Sequence, residues 1–487
     1  MYFLGIDFGG SSSKATLIDE KGKIIASSSC EYVTYYGDDG EATQKPESWI
    51  FSLKSVIDGI LKCGADPEDI ECLCIDAATH TAVLLDENDN AIFDAVYWTD
   101  TRSIREKQYL LENYSDYIFE KSKHYPDTIW TLVQLLFLKN NFKEKYQKIK
   151  HILFEKDYIR YFFVKKYVTD YIEAQGSMLF DFDNNVWDEK LLEIVDLNID
   201  QLPEIISPLD IIGNISEEAS ALTGLSTNTK VICGSTDTAM EVFASGGVEK
   251  GDMTLKLATA GRICIVSDKP YPDKNIINYS HLSKGLFYPG SGTKSCAASN
   301  RWFRDTFGQT YEELDNLAKD IPVGSNGLIF HPYLQGELTP YANPNIRGSF
   351  FGISSLHTKG HFVRSLYEGV GFSLLDCYLY LKEKGLQLSK RAYAIGGGSK
   401  SKTWSQIISD ILGIELVITQ DNDSSFGSAL CASIVGKAFK NLKEAKEKSQ
   451  KIICIVKPNM TNHEKYLEIY KKYKMISNFT LEYYKDE

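Results

Sequence analysis

Residues 2–19 read YFLGIDFGGSSSKATLID, and residues 253–268 read MTLKLATAGRICIVSD. Each stretch is an apolar run, a turn of small residues and a second apolar run closing on aspartate. That order predicts a β-hairpin with a small-residue tip. A pattern that recurs about 250 residues on marks an internal duplication, so the chain is expected to hold two similarly built α/β domains, 1–245 and 246–487. The length of 487 residues agrees, since one domain usually takes ~150 residues and two large ones fit.

Working outward from the first hairpin, PESWIFSLKSVIDGILKCG (46–64) has helical spacing and a glycine stop, and IECLCID (70–76) reads as a buried strand. AVLLD and AIFDAVYW read as two more strands, and the stretch from Thr101 to Leu225 as mainly helical. VICG (231–234) is a short strand running into Ser235-Thr236-Asp237, whose side chains suit a helix start. After the second hairpin, helices are expected over 294–307 and 357–384. A strand RAYAI then meets GGGSKS and a helix starting near Thr403, LGIELVIT is another strand, and SSFGSALCASIVGKAF a further helix. PGSGTKS (289–295) reads as a turn before a helix, and the Lys-, Glu- and Tyr-rich stretch beyond Asn441 as a solvated helical tail.

Composition narrows the partners. Lys plus Arg total 53 against 66 for Asp plus Glu, a net charge of −13, which argues against nucleic-acid binding. Hydrophobic residues at 43% and charged ones at 24% allow large cores and exclude global disorder. No apolar run reaches the ~18 residues of a membrane span and no signal-peptide pattern opens the chain, so a cytoplasmic protein away from membranes is expected. Ten cysteines, mostly within apolar runs and with no CxxC pair, read as buried reduced thiols.

Several residues could carry chemistry. The tip Gly9-Gly10-Ser11-Ser12-Ser13 offers backbone N–H groups and hydroxyls suited to phosphate oxygens, and Asp7 beside it could hold Mg2+ through water. The tip Ala258-Thr259-Ala260-Gly261 could grip the same phosphates. Gly396-Gly397-Gly398-Ser399-Lys400-Ser401 would let a flat ligand lie against its backbone, and lacks the spacing of a Walker motif. Asp237 reads as a general base for phosphoryl transfer or as a helix cap. His80, after IECLCID, reads as a polyol contact or a structural histidine. Trp98, Asp100 and Arg102 read as a stacking and hydrogen-bonding wall, or as a buried Trp beside a surface ion pair.

Taken in order, these motifs resemble the FGGY carbohydrate kinases, within the sugar kinase, chaperone ATPase and actin superfamily. GIDFGGSSSKATLID resembles the family's first phosphate motif, YWTDTRS its W-x-D-x-R segment, GSTDTA the segment of the catalytic aspartate and LATAGR the second phosphate motif. YAIGGGSKSKTWSQIISDILG is similar to the adenosine motif, and HPYLQGELTPYANPNIRGSFFGIS with VRSLYEGVGFSLLD to the signature region of the xylulokinase branch. The resemblance covers essentially the whole chain. It implies two actin-like, ribonuclease H-like α/β domains closing on MgATP and a sugar in an interdomain cleft.

It also implies roles. Asp237 would be the base and Asp7 the carboxylate near Mg2+. Gly10, Ser11, Ser12, Lys14, Thr259 and Gly261 would hold phosphates, and Gly397, Gly398 and Ser399 would line the adenosine site. Thr79, His80, Trp98, Asp100, Arg102 and Thr238 would join Asp237 in the acceptor site. The substrate region departs from the xylulokinase pattern, with Ala78-Thr79-His80-Thr81 for Gln-Met-His-Gly and Asp237-Thr238 for Asp-Asn, and Ala258 stands for Gly in the second phosphate motif. The implied acceptor is a ketopentose such as xylulose. L-xylulose, L-ribulose, a pentitol or gluconate are alternatives, as is a non-catalytic ATP-binding switch. The resemblance further suggests a homodimer.

Overall fold

The computed structural model describes residues 1–485. It divides into two compact units. The first comprises Met1–Ala244, Tyr279–Leu286 and Asn422–Gln450, and the second Ser245–Asn278, Phe287–Asp421 and the residues from Lys451 on.

In the first unit, β1 (Tyr2–Phe8), β2 (Ser12–Asp19), β3 (Ile24–Glu31), β4 (Ile70–Ala77), β5 (Ile211–Asn214) and β6 (Lys230–Ile232) form one sheet in the order β5-β6-β4-β1-β2-β3. The opening hairpin pairs Tyr2 with Asp19 and Phe8 with Ser13. β1 and β4 are parallel, which sets Asp7 directly beside Asp76, and β6 is parallel to β4. α1 (Pro46–Leu61) begins with proline, whose fixed φ suits a first turn, and buries Trp49, Leu53, Val56, Ile57 and Ile60. Gly64 follows at φ 85°, left-handed backbone that glycine adopts without strain. α2 (Glu155–Val164) and α3 (Asp237–Ser245) follow strand ends. On β1 also lies the helix Ser424–Val435, brought so close at Gly5 that a Cβ there would stand 2.1 Å from the Ser425 carbonyl oxygen.

The second unit repeats the plan. β7 (Met253–Leu257), β8 (Gly261–Ile265), β9 (Gly290–Thr293), β10 (Arg391–Ile395), β11 (Glu415–Thr419) and β12 (Ile452–Val456) lie in the order β9-β8-β7-β10-β11-β12. In both sheets an antiparallel trio is joined to two parallel strands and closed by an antiparallel edge. α4 (Ala297–Phe307), α5 (Lys359–Glu383) and α6 (Lys402–Leu412) supply the apolar faces that cover it.

The stretch from Thr101 to Leu225 is mainly helical, as expected, with short strands between its helices. Three expectations need correction. Within AIFDAVYW only Ala95–Val96 pairs as a strand. PGSGTKS is not a turn, because Gly290–Thr293 is the edge strand β9; side chains at Gly290 and Gly292 would each stand 2.6 Å from a carbonyl oxygen of β8, so only glycine lets this strand lie so close. Beyond Asn441 the chain is no solvated tail. It adds β12 and a helix, Met460–Tyr483, that buries Tyr466 and Tyr473 on one face. The ten cysteines are free thiols, seven buried, with Cys30 half-buried and Cys63 and Cys454 exposed. Among the described residues no helix is long and apolar enough to cross a membrane.

Candidate active site

In α/β sheets ligands bind beyond the carboxyl ends of parallel strands, and in the first unit those ends gather carboxylates. Asp7 is the penultimate residue of β1, Asp76 lies opposite it at the penultimate position of β4, and Thr236 bridges to Ala77 so that Asp237 opens α3 beside them. Asp76 is fully buried and Asp7 half-buried, and among the described residues the Oδ1 of neither has a hydrogen-bond partner. Burial pushes the Asp7 carboxyl up to about 7; a hydrogen bond with Asp76 opposes the rise and the charge of Asp237 adds to it. Burial, then the charge of Asp7, holds Asp76 well above the usual carboxylate range, while its Oδ2 accepts from Ser428 at 2.5 Å. One proton shared between the facing carboxyls is what such a pair favours.

Asp237 is not the cap of its helix. The Thr236 carbonyl accepts from the Met240 N–H and the Thr236 hydroxyl from the Ala239 N–H at 3.3 Å, which are the bonds of an N-cap residue. Ser235 is turned away to donate to Asp170. The half-buried Asp237 carboxylate accepts from its neighbour Thr238, through the N–H and hydroxyl, both at Oδ1.

His80 is buried with left-handed backbone, φ 76°. Its Nδ1 lies 2.6 Å from the Gly176 carbonyl oxygen, its Nε2 3.3 Å from the Tyr279 hydroxyl, and Trp130 packs edge-on at 4.7 Å. The His80 N–H and the Thr79 hydroxyl both donate to Glu173 Oε1 at 3.1 Å. Burial raises Glu173 to about 8, with Lys156 opposing. Asp100 is buried and Arg102 half-buried: Asp100 accepts from the Ala42 N–H and from Arg102, which also reaches Glu41 at 2.9 Å. Trp98 is 41% exposed, so it is not the buried Trp of the alternative reading.

At the first tip, a side chain on Gly10 would come within 2.7 Å of the Tyr97 hydroxyl. Ser11 is exposed and Ser12 half-buried, whereas Ser13 turns inward to Ser52. Lys14 pairs with Asp423 at 2.6 Å. Mg2+ keeps several waters and takes one or two carboxylates plus phosphate oxygens. Asp7 Oδ1, a hard oxygen without a donor, fits that demand, and among the described residues no group of three or more His, Cys, Asp or Glu forms a closed metal cage.

In the second unit Thr259 and Ala260 are exposed at the tip, while the carbonyls of Ala258 and Thr259 accept the N–H groups of Cys296, Ala297 and Ala298 and so start α4. Gly261 has no room for a Cβ, which would meet Leu374 and Thr293 at 2.9 Å. Gly396 has φ 83° and Gly397 faces open space, but a Cβ on Gly398 would stand 2.7 Å from the Trp404 ring. Ser399 donates back to the Gly396 carbonyl.

Asp76, Glu155, Glu173 and Asp423 were not singled out in the sequence. Asp76 alone had a local signal, as the acid closing an apolar strand beside an equivalent strand ending in Asp7. The others reach the site only through tertiary packing.

Residues 2–244 match the N-terminal domain, and residues 266–435 the C-terminal domain, of the FGGY family of carbohydrate kinases. A xylulose kinase of Bacillus subtilis (strain 168) is 28% identical over 485 residues, covering 98% of this chain and 97% of that protein. A gluconokinase of the same organism is 30% identical over 451 residues, covering 89% and 87%. The ligand-bound xylulose kinase from Lactobacillus acidophilus is similar in structure, with a TM-score of 0.93 at 25% identity over 99% of both chains.

Proposed function

The chain belongs to the FGGY family of carbohydrate kinases, which phosphorylate sugars with ATP, and on that premise we propose that it phosphorylates a ketopentose such as xylulose with Asp237 as general base. The observation that carries the reading is the Asp237 carboxylate, set at the strand ends and relieved of capping by Thr236. The acceptor hydroxyl donates to that carboxylate and gives up its proton as its oxygen bonds to the γ-phosphorus and the bond to ADP breaks. The Thr238 hydroxyl orients Asp237 through Oδ1. His80 contacts the acceptor, its backbone fixed with Thr79 on Glu173. Trp98 supplies an exposed ring, and the Asp100–Arg102 pair holds the adjoining loop.

Asp7 would hold Mg2+, which supplies charge neutralisation for the phosphates when bound. Each unit has phosphate contacts of its own to offer, Gly10, Ser11, Ser12 and Lys14 in the first and Thr259 and Gly261 in the second. Gly397, Gly398 and Ser399 form the backbone surface for adenosine. Xylulose is taken first because xylulose kinases of Bacillus subtilis and Lactococcus lactis match over 98% and 99% of the chain, and D-gluconate is the leading alternative because a gluconokinase matches at 30% identity.

The test is ADP release measured over a panel of D-xylulose, L-xylulose, L-ribulose, pentitols and D-gluconate. A steep rise with D-xylulose is expected. ATP turnover unmoved by every member would overturn the kinase reading in favour of a nucleotide-binding switch.

A further inference from the structure

Among the described residues nothing in the fold pairs with the Glu155 carboxyl. It opens α2, its N–H donates to the Thr81 carbonyl at 3.0 Å, and it is 1% exposed. Neither carboxyl oxygen has a hydrogen-bond partner among the described residues, and the buried hydroxyl of Thr81 beside it has none either. Buried carboxyls are ordinarily paired, so an unpaired one in a native fold calls for a ligand or a functional reason. Its surroundings say which. Burial, then the charges of Glu173, Asp237 and Asp7, raise Glu155 far above the carboxylate range. It is in turn the leading charge acting on Tyr32 and Tyr97, which line the Gly9-Gly10 tip. Glu155 thus stands among the groups assigned to the acceptor and the base, joined by backbone to the segment that carries His80.

The cations of this region are committed elsewhere. Lys156 bonds Asp157 and Asp170, Arg102 bonds Asp100 and Glu41, and Lys14 bonds Asp423. A carboxylate-bearing acceptor would meet four acids, Asp7, Glu155, Glu173 and Asp237, without a counter-charge. We propose that Glu155 is a specificity-determining residue that hydrogen-bonds a hydroxyl of the acceptor, and that the acceptor is a neutral ketose or polyol rather than an aldonate. This rests on the carbohydrate-kinase reading given above. A buried acid held ready for a polyol hydroxyl also explains why it is kept unpaired, since such strain persists where function requires it.

The test compares Glu155→Gln and Glu155→Leu with the wild type, using D-xylulose, a pentitol and D-gluconate. Wild-type turnover comes first: no acceleration by any acceptor sinks the kinase reading itself, and the inference with it. Gluconate as the best acceptor leaves the kinase reading standing and overturns the inference. With a neutral acceptor preferred, Glu155→Leu is expected to raise the acceptor KM about 10- to 100-fold, as for a lost hydrogen bond to an acid, and Glu155→Gln only a few-fold. The KM for ATP and the Mg2+ requirement are expected to stay within about twofold. Ligand-free melting is the second readout. Because the carboxyl has no partner to lose, both variants should melt at or above the wild-type temperature, while stabilisation by added acceptor without ATP shrinks. Unchanged acceptor KM, a parallel rise in the ATP or Mg2+ requirement, or a fall in melting temperature with KM intact would each overturn the assignment.

Discussion

The first hairpin of each unit begins a sheet of the same strand pattern, yet the two strand ends carry different groups. β1 carries Asp7 one residue before its end, faced by Asp76 and flanked by Asp237, and the charges of Asp7, Asp237 and Glu173 all bear on Glu155. β7 ends on Leu257, and its tip turns two carbonyls inward to begin α4 while Thr259 and Ala260 remain exposed. One scaffold therefore presents charge in the first unit and bare backbone in the second. Proton transfer needs the former, and close approach to a nucleotide needs the latter.

The largest expected effect breaks this comparison if it is wrong. Asn in place of Asp237 keeps the shape and the bond from Thr238 but cannot accept a proton. Turnover with the best sugar should fall ~100- to 10,000-fold, with the ATP KM and melting temperature nearly unchanged because Thr236 still caps α3. A folded variant that keeps more than about a tenth of wild-type turnover would remove the base from Asp237.

What could be read from the sequence follows the same divide. Both hairpins, Asp7 and Asp237 were legible because each lies where an apolar run stops, and an apolar run is a local signal. Which of Ser235, Thr236 and Asp237 caps the helix was not, since all three suit the role and only backbone geometry chooses Thr236. Asp76 meets Asp7 through strand register, and Glu155 meets Asp237 through a separate helix, so no spacing reveals either. The glycine strand Gly290–Thr293 was read as a turn because its reason for being glycine is the neighbouring β8. In the same way, residues 422–450 join the first unit because the helix Ser424–Val435 seats against Gly5.

A smaller effect sharpens the account of the second unit. Gly397 and Gly398 are adjacent, but only Gly398 is enclosed, with Trp404 at 2.7 Å and the Leu257 carbonyl oxygen at 2.9 Å from an added Cβ. Gly398→Ala should therefore cost about 1 to 3 kcal/mol by overpacking, and lower the melting temperature by several degrees. Gly397→Ala should leave melting unchanged and raise the ATP KM a few-fold, as a methyl projects into the surface assigned to adenosine. Equal behaviour of the two variants would mean that the loop is only a packing element.

The smallest effect concerns the pH dependence that buried acids give the first unit. Glu173 is raised by burial to about 8, against an unfolded carboxyl near 4.3. Between those values the folded protein holds a proton that the unfolded chain has released, so stability falls as pH rises. The contribution is complete below about pH 4 and gone once the pH passes through about 8. Glu173→Gln keeps an oxygen for the His80 N–H and the Thr79 hydroxyl but cannot titrate. Its melting temperature should thus gain on the wild type steadily from pH 5 to 8 and no further beyond about pH 9. Melting curves of the two proteins across that range decide it: parallel dependence would show that Glu173 is ionised throughout, and that the acidic first unit owes its pH response to the other buried acids, Asp7, Asp76 and Glu155.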